Sequence, residues 1–128
     1  MAHLFSYAGA PWLTQKWVRK VKAAYCDVTP YGGYRDDEDQ GQMGALGVLM
    51  AIGLFEVDGG CAEKPFYEIT SPLFDKVTIH LDNRYYPGKT FQIITVGNSA
   101  DNMYIQRASF NGKKWNKCWF YHEDFIKG

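Results

Sequence analysis

The chain has 128 residues, with 14 basic and 14 acidic side chains and a formal net charge of zero. That length is one ordinary domain's worth, or two small subdomains of unlike character, and the neutral balance supplies no long-range field for nucleic acid or an anionic membrane. No segment reaches the roughly 18 apolar residues of a membrane span and no basic start followed by an apolar run opens the chain, so no membrane partner and no export signal are expected. Aromatic residues make up 16% of the chain, a share that suits either a β-rich core or a sugar-stacking surface. Cys26, Cys61 and Cys118 are odd in number and never within C-x-x-C range. They are expected as unpaired structural thiols, with no zinc site or disulfide framework.

In chain order, the short aromatic run from His3 to Tyr7 before Gly9 reads as the tail of a helix. Pro11 then stands where a first helical turn tolerates proline, and Leu13, Trp17, Val21, Ala24 and Tyr25 recur at helical spacing. Lys16, Arg19, Lys20 and Lys22 take the remaining positions as a solvated basic face. Residues 26–33, with Thr29-Pro30 and a glycine pair, read as loop. A second helix is expected over 40–51, with Gly53 near its stop. It has no polar face: Met43, Leu46, Val48, Leu49, Met50 and Ile52 surround the axis, and its glycines and alanines allow close neighbours, so burial on every side is expected. The cover would come from the β portion, a second copy, or the rest of a larger helical domain, which is favoured. The chain by itself is then expected to self-associate through this helical end.

After Phe55 the periodicity changes. Strands are expected over 66–70, 77–81, 90–96, 104–110 and 118–121, separated by turn signals, of which Asn111-Gly112 is the clearest hairpin. The fold class is α+β: two to three N-terminal helices, then an antiparallel, sandwich-like β module, with units 1–55 and 56–128. Trp115, Trp119 and Tyr121 alternate around the last hairpin. They either fill its core or form a stacking platform, in which case the chain is a non-catalytic carbohydrate-binding module.

The stretch from Asp36 to Asp39 is where chemistry concentrates, since four acidic residues follow a glycine turn and precede an uncharged helix. A calcium loop lacks its D-x-[DN]-x-[DN]-G spacing. Asp39 is a natural N-cap, completing a capping box with Gln42, while Asp37 and Glu38 suit the positive end of the helix dipole. A catalytic reading stands beside that one. In an extended loop Asp37 and Asp39 point to the same side, and two close carboxylates resist joint ionisation, as a general base requires.

The ordered motifs resemble glycoside hydrolase family 92, the calcium-dependent, exo-acting α-mannosidases. Tyr7-Ala8-Gly9, Pro11-Trp12 and Thr14-Gln15 look like its YAGxPWxTQ segment, and Gly33-Tyr34 with Asp37-Glu38-Asp39-x-Gly41-Gln42-Met43 like its GY…DEDxGQM motif. Gly53-Leu54-Phe55, the run from Ser71 to Leu81, and His122-Glu123-Asp124 follow in the family's order. Two departures are Asp36, where the family usually has a small residue, and Gly44-Ala45-Leu46, where its motif continues Ser-Ala-Trp. The resemblance implies the last helices of an (α/α)6 barrel and most of a C-terminal β region from an inverting enzyme. It places the water-holding and water-activating aspartates at Asp37 and Asp39, with Asp37 as base, Asp39 as its partner, and the roles exchangeable or shared. The catalytic acid and the main calcium ligands would lie upstream of Met1. The isolated chain would then bind no calcium of its own and be inactive, while the parent acts on an α-mannoside or manno-oligosaccharide. A full-length relative would be periplasmic, secreted or on the cell surface.

Overall fold

The computed structural model of the chain describes residues 2–24, 29 and 39–128. A 3-10 turn at Ala2–Phe5 leads into helix α1, Pro11–Ala23, with the proline in its first turn where no intrahelical N–H is needed. Helix α2 spans Gln42–Ile52 and stops at Gly53, whose left-handed φ of 80° lets its N–H return to Leu49 O at 3.0 Å. Seven short strands follow: β1 Leu54–Phe55, β2 Phe66–Ile69, β3 Lys76–His80, β4 Thr90–Ile94, β5 Ala108–Phe110, β6 Lys113–Trp115 and β7 Trp119–Tyr121. A last helical turn, α3, occupies His122–Phe125 directly after β7. The fold is α+β, with every strand pair antiparallel.

The strands make three sheets, β1-β2-β7, β3-β4 and β5-β6. In the largest, register fixes two unlike faces. Leu54 pairs with Ile69 and Tyr67 with Phe120 on one face; Phe55 with Glu68, Glu68 with Trp119, and Phe66 with Tyr121 on the other. The first face is the core. Leu54, Phe91 and Phe120 are buried there, with Ile69, Ile79, Phe110 and Phe125 packed around them. Phe91 stacks on Phe120 at 5.4 Å between ring centres and lies 4.7 Å from Phe125, so one residue of β4 joins the β3-β4 hairpin to the central sheet.

The Asn111-Gly112 turn holds as expected. Asn111 has φ 46°, and Phe110 pairs with Lys113 across a two-residue connection. The strand expected over 104–110 is shorter, because its first backbone groups are used elsewhere. Ile105 N–H donates to Gln15 Oε1 at 2.9 Å, and Tyr104 O accepts from Gln106 Nε2 at 3.2 Å. At the end of β4, Thr95 N–H turns to Asp75 O at 2.8 Å and Val96 is left in solvent.

Both helices depart from their sequence patterns in which side is covered. The buried residues of α1 are Thr14, Gln15 and Val18, while Trp12 and Trp17 are exposed. The polar side faces inward because it carries the tertiary hydrogen bonds. Thr14 Oγ1 accepts from Ser6 Oγ and donates to His3 O, and Gln15 receives Ile105. Arg19, expected on a solvated face, instead reaches Ser71 O at 3.1 Å, Ser71 Oγ at 2.9 Å, Pro72 O and Asn98 Oδ1. Its surroundings are neutral acceptors, and burial lowers the guanidinium's pKa. Helix α2 is covered on one side only: Met50 and Ala51 are buried, whereas Val48 is 61% exposed. The expected burial on every side is therefore not met by the described residues.

Candidate functional site

Asp37 lies outside the described residues. Asp39 is described, exposed, and placed at the entrance to α2. It is not the N-cap. The cap position belongs to Gly41, with φ 97°, which has no side chain to cap with. The capping box fails for a backbone reason. A capping aspartate needs extended φ/ψ, whereas Asp39 and Gln40 are left-handed at φ 56° and 59°. The turn is closed by main chain instead, Gln42 N–H to Asp39 O at 3.2 Å and Ala45 N–H to Gly41 O at 3.0 Å. Two successive non-glycine residues in this region cost roughly 1–2 kcal/mol each. The strained turn holds the Asp39 carboxylate free of any capping duty. α2 itself, 11 residues, is about 16 Å long at 1.5 Å per residue, so the aspartate turn and the β1-β2-β7 sheet sit at opposite ends of it.

The outer face of that sheet carries a second constellation, one that the sequence reading did not pick out. Glu68, at 1% exposure, sits between Phe55 and Trp119 in register. Its Oε2 is 3.3 Å from His3 Nδ1, and the His3 ring stacks on Phe55 with 3.8 Å between centres. Glu68 Oε1 is buried with no hydrogen-bond partner. Beside the carboxylate stands Tyr7, a partly exposed residue whose hydroxyl is pushed up to about 12 by desolvation, then by the charge of Glu68 and a side-chain hydrogen bond with it. The only local signal in the sequence was one acidic residue on an otherwise apolar strand, since its partner is 65 positions away. Across the sheet, Tyr67 bonds His122 Nδ1 at 3.1 Å, and burial raises Tyr67 as well.

The structure divides the three aromatics of the last hairpin. Trp115 packs against the core beside Phe110, and its indole N–H donates to Trp119 O at 3.0 Å. Trp119 and Tyr121 face the outer side with their rings at 72° to one another. A flat platform of all three is not formed, because Trp115 belongs to the other packing layer. Cys61 and Cys118 are free thiols, and Cys26 lies outside the described residues. Among the described residues no three His, Cys, Asp or Glu side chains converge to hold a metal ion.

Comparison with known proteins is consistent along the whole chain. The family model described as the glycosyl hydrolase family 92 catalytic domain matches residues 1–128. An uncharacterized secreted glycosidase of Arthroderma benhamiae is 34% identical over 128 residues, covering 98% of this chain and 16% of that protein. The solved structure of a family GH92 inverting mannosidase from Bacteroides thetaiotaomicron superposes with a TM-score of 0.82 at 36% identity, over 99% of this chain and 16% of the other. A family GH92 α-mannosidase of the same bacterium, also solved in complex with mannoimidazole, gives 0.78 at 28% identity with the same coverage. The chain thus spans about a sixth of the length of these relatives.

Proposed function

The chain belongs to glycosyl hydrolase family 92, and from that premise we propose that it is the C-terminal part of an inverting, calcium-dependent α-mannosidase whose attacking water is held by Asp37 and Asp39. Residues 1–55 would be the terminal helices of the catalytic barrel and residues 56–128 its C-terminal β region. The observation that carries the reading is the Asp39 turn, where an exposed carboxylate is held in a left-handed backbone and is released from the capping role that would otherwise account for it. The outward apolar stripe of α1 and the bare side of α2 support the barrel assignment, since further helices would cover Trp12, Trp17 and Val48.

In this mechanism Asp37 takes the proton of a water while Asp39 orients it, or the two share the task. Inversion needs an acid on the opposite face of the sugar, about 6.5–9.5 Å from the base, to leave room for that water. Two carboxylates separated by one residue cannot occupy both faces, so the acid comes from another part of the protein. Calcium dependence is a property of the family, but the described residues do not build a calcium site. The substrate is an α-mannoside or manno-oligosaccharide. Secretion follows the Arthroderma relative, a secreted glycosidase.

The test is hydrolysis of an aryl α-mannoside by the purified 128-residue chain, with and without calcium. No turnover is expected, because general acid catalysis alone is worth roughly 10²–10⁴-fold. Calcium-dependent mannose release that disappears in Asp37→Asn would show instead that the chain is a complete enzyme.

A further inference from the structure

Asn111 and Gly112 close the β5-β6 hairpin in two residues, both in the left-handed region at φ 46° and 76°. Both are exposed, and a Cβ built on Gly112 would meet nothing within 4 Å. The hairpin's ladder pairs Phe110 with Lys113 and leaves the two turn residues out of it. Neither the Asn111 amide nor the Gly112 N–H has a hydrogen-bond partner among the described residues. The geometry points to Asn111 as a site of spontaneous covalent modification, where the side-chain amide is lost through a cyclic imide with the Gly112 nitrogen and the turn is rebuilt with aspartate or isoaspartate.

The reaction needs only water. Hydroxide takes the Gly112 N–H proton, the backbone nitrogen bonds to Asn111 Cγ, and the Cγ–Nδ2 bond breaks, so that the amide nitrogen takes a proton from water and leaves as ammonia. Water then opens the ring at either carbonyl. Cleavage of the ring nitrogen's bond to Cγ restores the main chain with an aspartate; cleavage at the main-chain carbonyl leaves the chain running through Cγ, as isoaspartate. Of the five asparagines, Asn111 alone is followed by glycine, which has no Cβ to crowd the attacking nitrogen. Arg84, Ser99, Met103 and Lys117 follow the others. Two of those others are also tied: Asn83 Nδ2 donates to Gly88 O at 2.6 Å, and Asn98 Oδ1 accepts from Arg19. Asn111 must rotate out of its left-handed conformation to cyclise, and an exposed turn can open locally while the core stays packed.

The two products act differently on the fold. Aspartate visits the left-handed region as asparagine does and keeps the turn. Isoaspartate inserts a further carbon into the main chain, so the two-residue connection no longer fits the pairing of Phe110 with Lys113. That register matters to the core, because the Phe110 ring centre lies 5.3 Å from that of Phe120 and 5.2 Å from that of Trp115.

The test is incubation of the folded 128-residue chain in mildly alkaline buffer, followed by peptide mapping with mass spectrometry, an isoaspartate assay and thermal melts of each sample. Conversion at Asn111 should run roughly tenfold or more faster than at Asn102 or Asn116, the ratio that a barrier lower by about 1.4 kcal/mol gives. A second, lower melting transition should grow in step with the isoaspartate content. Freshly made Asn111→Asp should melt as the parent does, since it carries the charge without the added main-chain carbon. Asn111→Gly keeps a turn of the same type with a glycine pair and has no amide to lose, so it should develop no lower transition on incubation. An intact Asn111 in the folded chain, or conversion at Asn102 or Asn116 at the same rate, would overturn the proposal. So would a lower transition that grows equally in Asn111→Gly, or a fresh Asn111→Asp that already melts as the isoaspartate form does.

Discussion

Replacing Gly53 by alanine should damage the junction between α2 and β1 far more than the loss of one hydrogen atom suggests. Gly53 sits at φ 80°, where an L side chain costs roughly 1–2 kcal/mol. A Cβ there would lie 2.5 Å from Pro72 Cγ, 2.6 Å from its Cδ and 2.7 Å from its backbone N. A proline ring and a backbone nitrogen cannot swing aside as a flexible side chain can, so overpacking adds about 1–3 kcal/mol. Together these come to about 2–5 kcal/mol. A chain of 128 residues unfolds with an entropy near 0.27 kcal/mol/K, so Tm should fall by about 7–19 °C. Pro72 O is also an acceptor of the Arg19 guanidinium, so the clash reaches the contact that fastens α1 to the β region. Gly47 is the internal control: it lies on the same helix, and a Cβ there would meet nothing within 4 Å, so Gly47→Ala should gain about 0.5–1 kcal/mol from helix propensity. Thermal melts of the two variants and the parent decide the matter. An unchanged Tm in Gly53→Ala, or a fall of similar size in both variants, would refute the close packing on which this rests.

Alkaline stability should depend on Tyr7. Its folded pKa of about 12 lies above the ordinary 10.0, so its contribution is complete below pH 10 and is lost as pH rises towards 12. Melts of parent and Tyr7→Phe across that window should converge on the acid side and diverge on the alkaline side, with the parent falling more steeply; parallel curves would contradict the placement of the hydroxyl beside the Glu68 carboxylate. The isolated chain should also self-associate through its helical end, where Leu4, Trp12, Trp17 and Val48 are exposed. Sedimentation velocity should show a concentration-dependent shift from monomer to dimer, and a monomer at every concentration would mean that this surface tolerates water.

What was legible in the sequence follows from how local each cause is. The β5-β6 hairpin could be read because Asn111-Gly112 fixes its own turn geometry, and α1 because Pro11 and a 3.6-residue period mark it. The cap of α2 was misread because Asp39 and Gln42 have the right spacing, while the choice between extended and left-handed backbone is made by residues around them. The polar interior of α1 had no local signal either: Arg19, Gln15 and Thr14 are bonded to loops and turns from 8 to 90 positions away. Sequence alternation correctly placed Glu68 on a strand but could not show that His3 would cover one of its oxygens and leave the other bare. α3 was too short to produce a period of its own.

The central claim is that the aspartate turn is chemical and not merely structural, and Asp39→Asn tests it most directly. Asparagine tolerates the left-handed backbone at least as well as aspartate, so the turn should hold and Tm should not fall. In the longer protein that the proposal implies, mannose release from an α-mannoside should nonetheless drop by roughly 10²–10⁴-fold as the carboxylate that acts on the water is lost. Turnover close to that of the parent in Asp39→Asn would contradict the account.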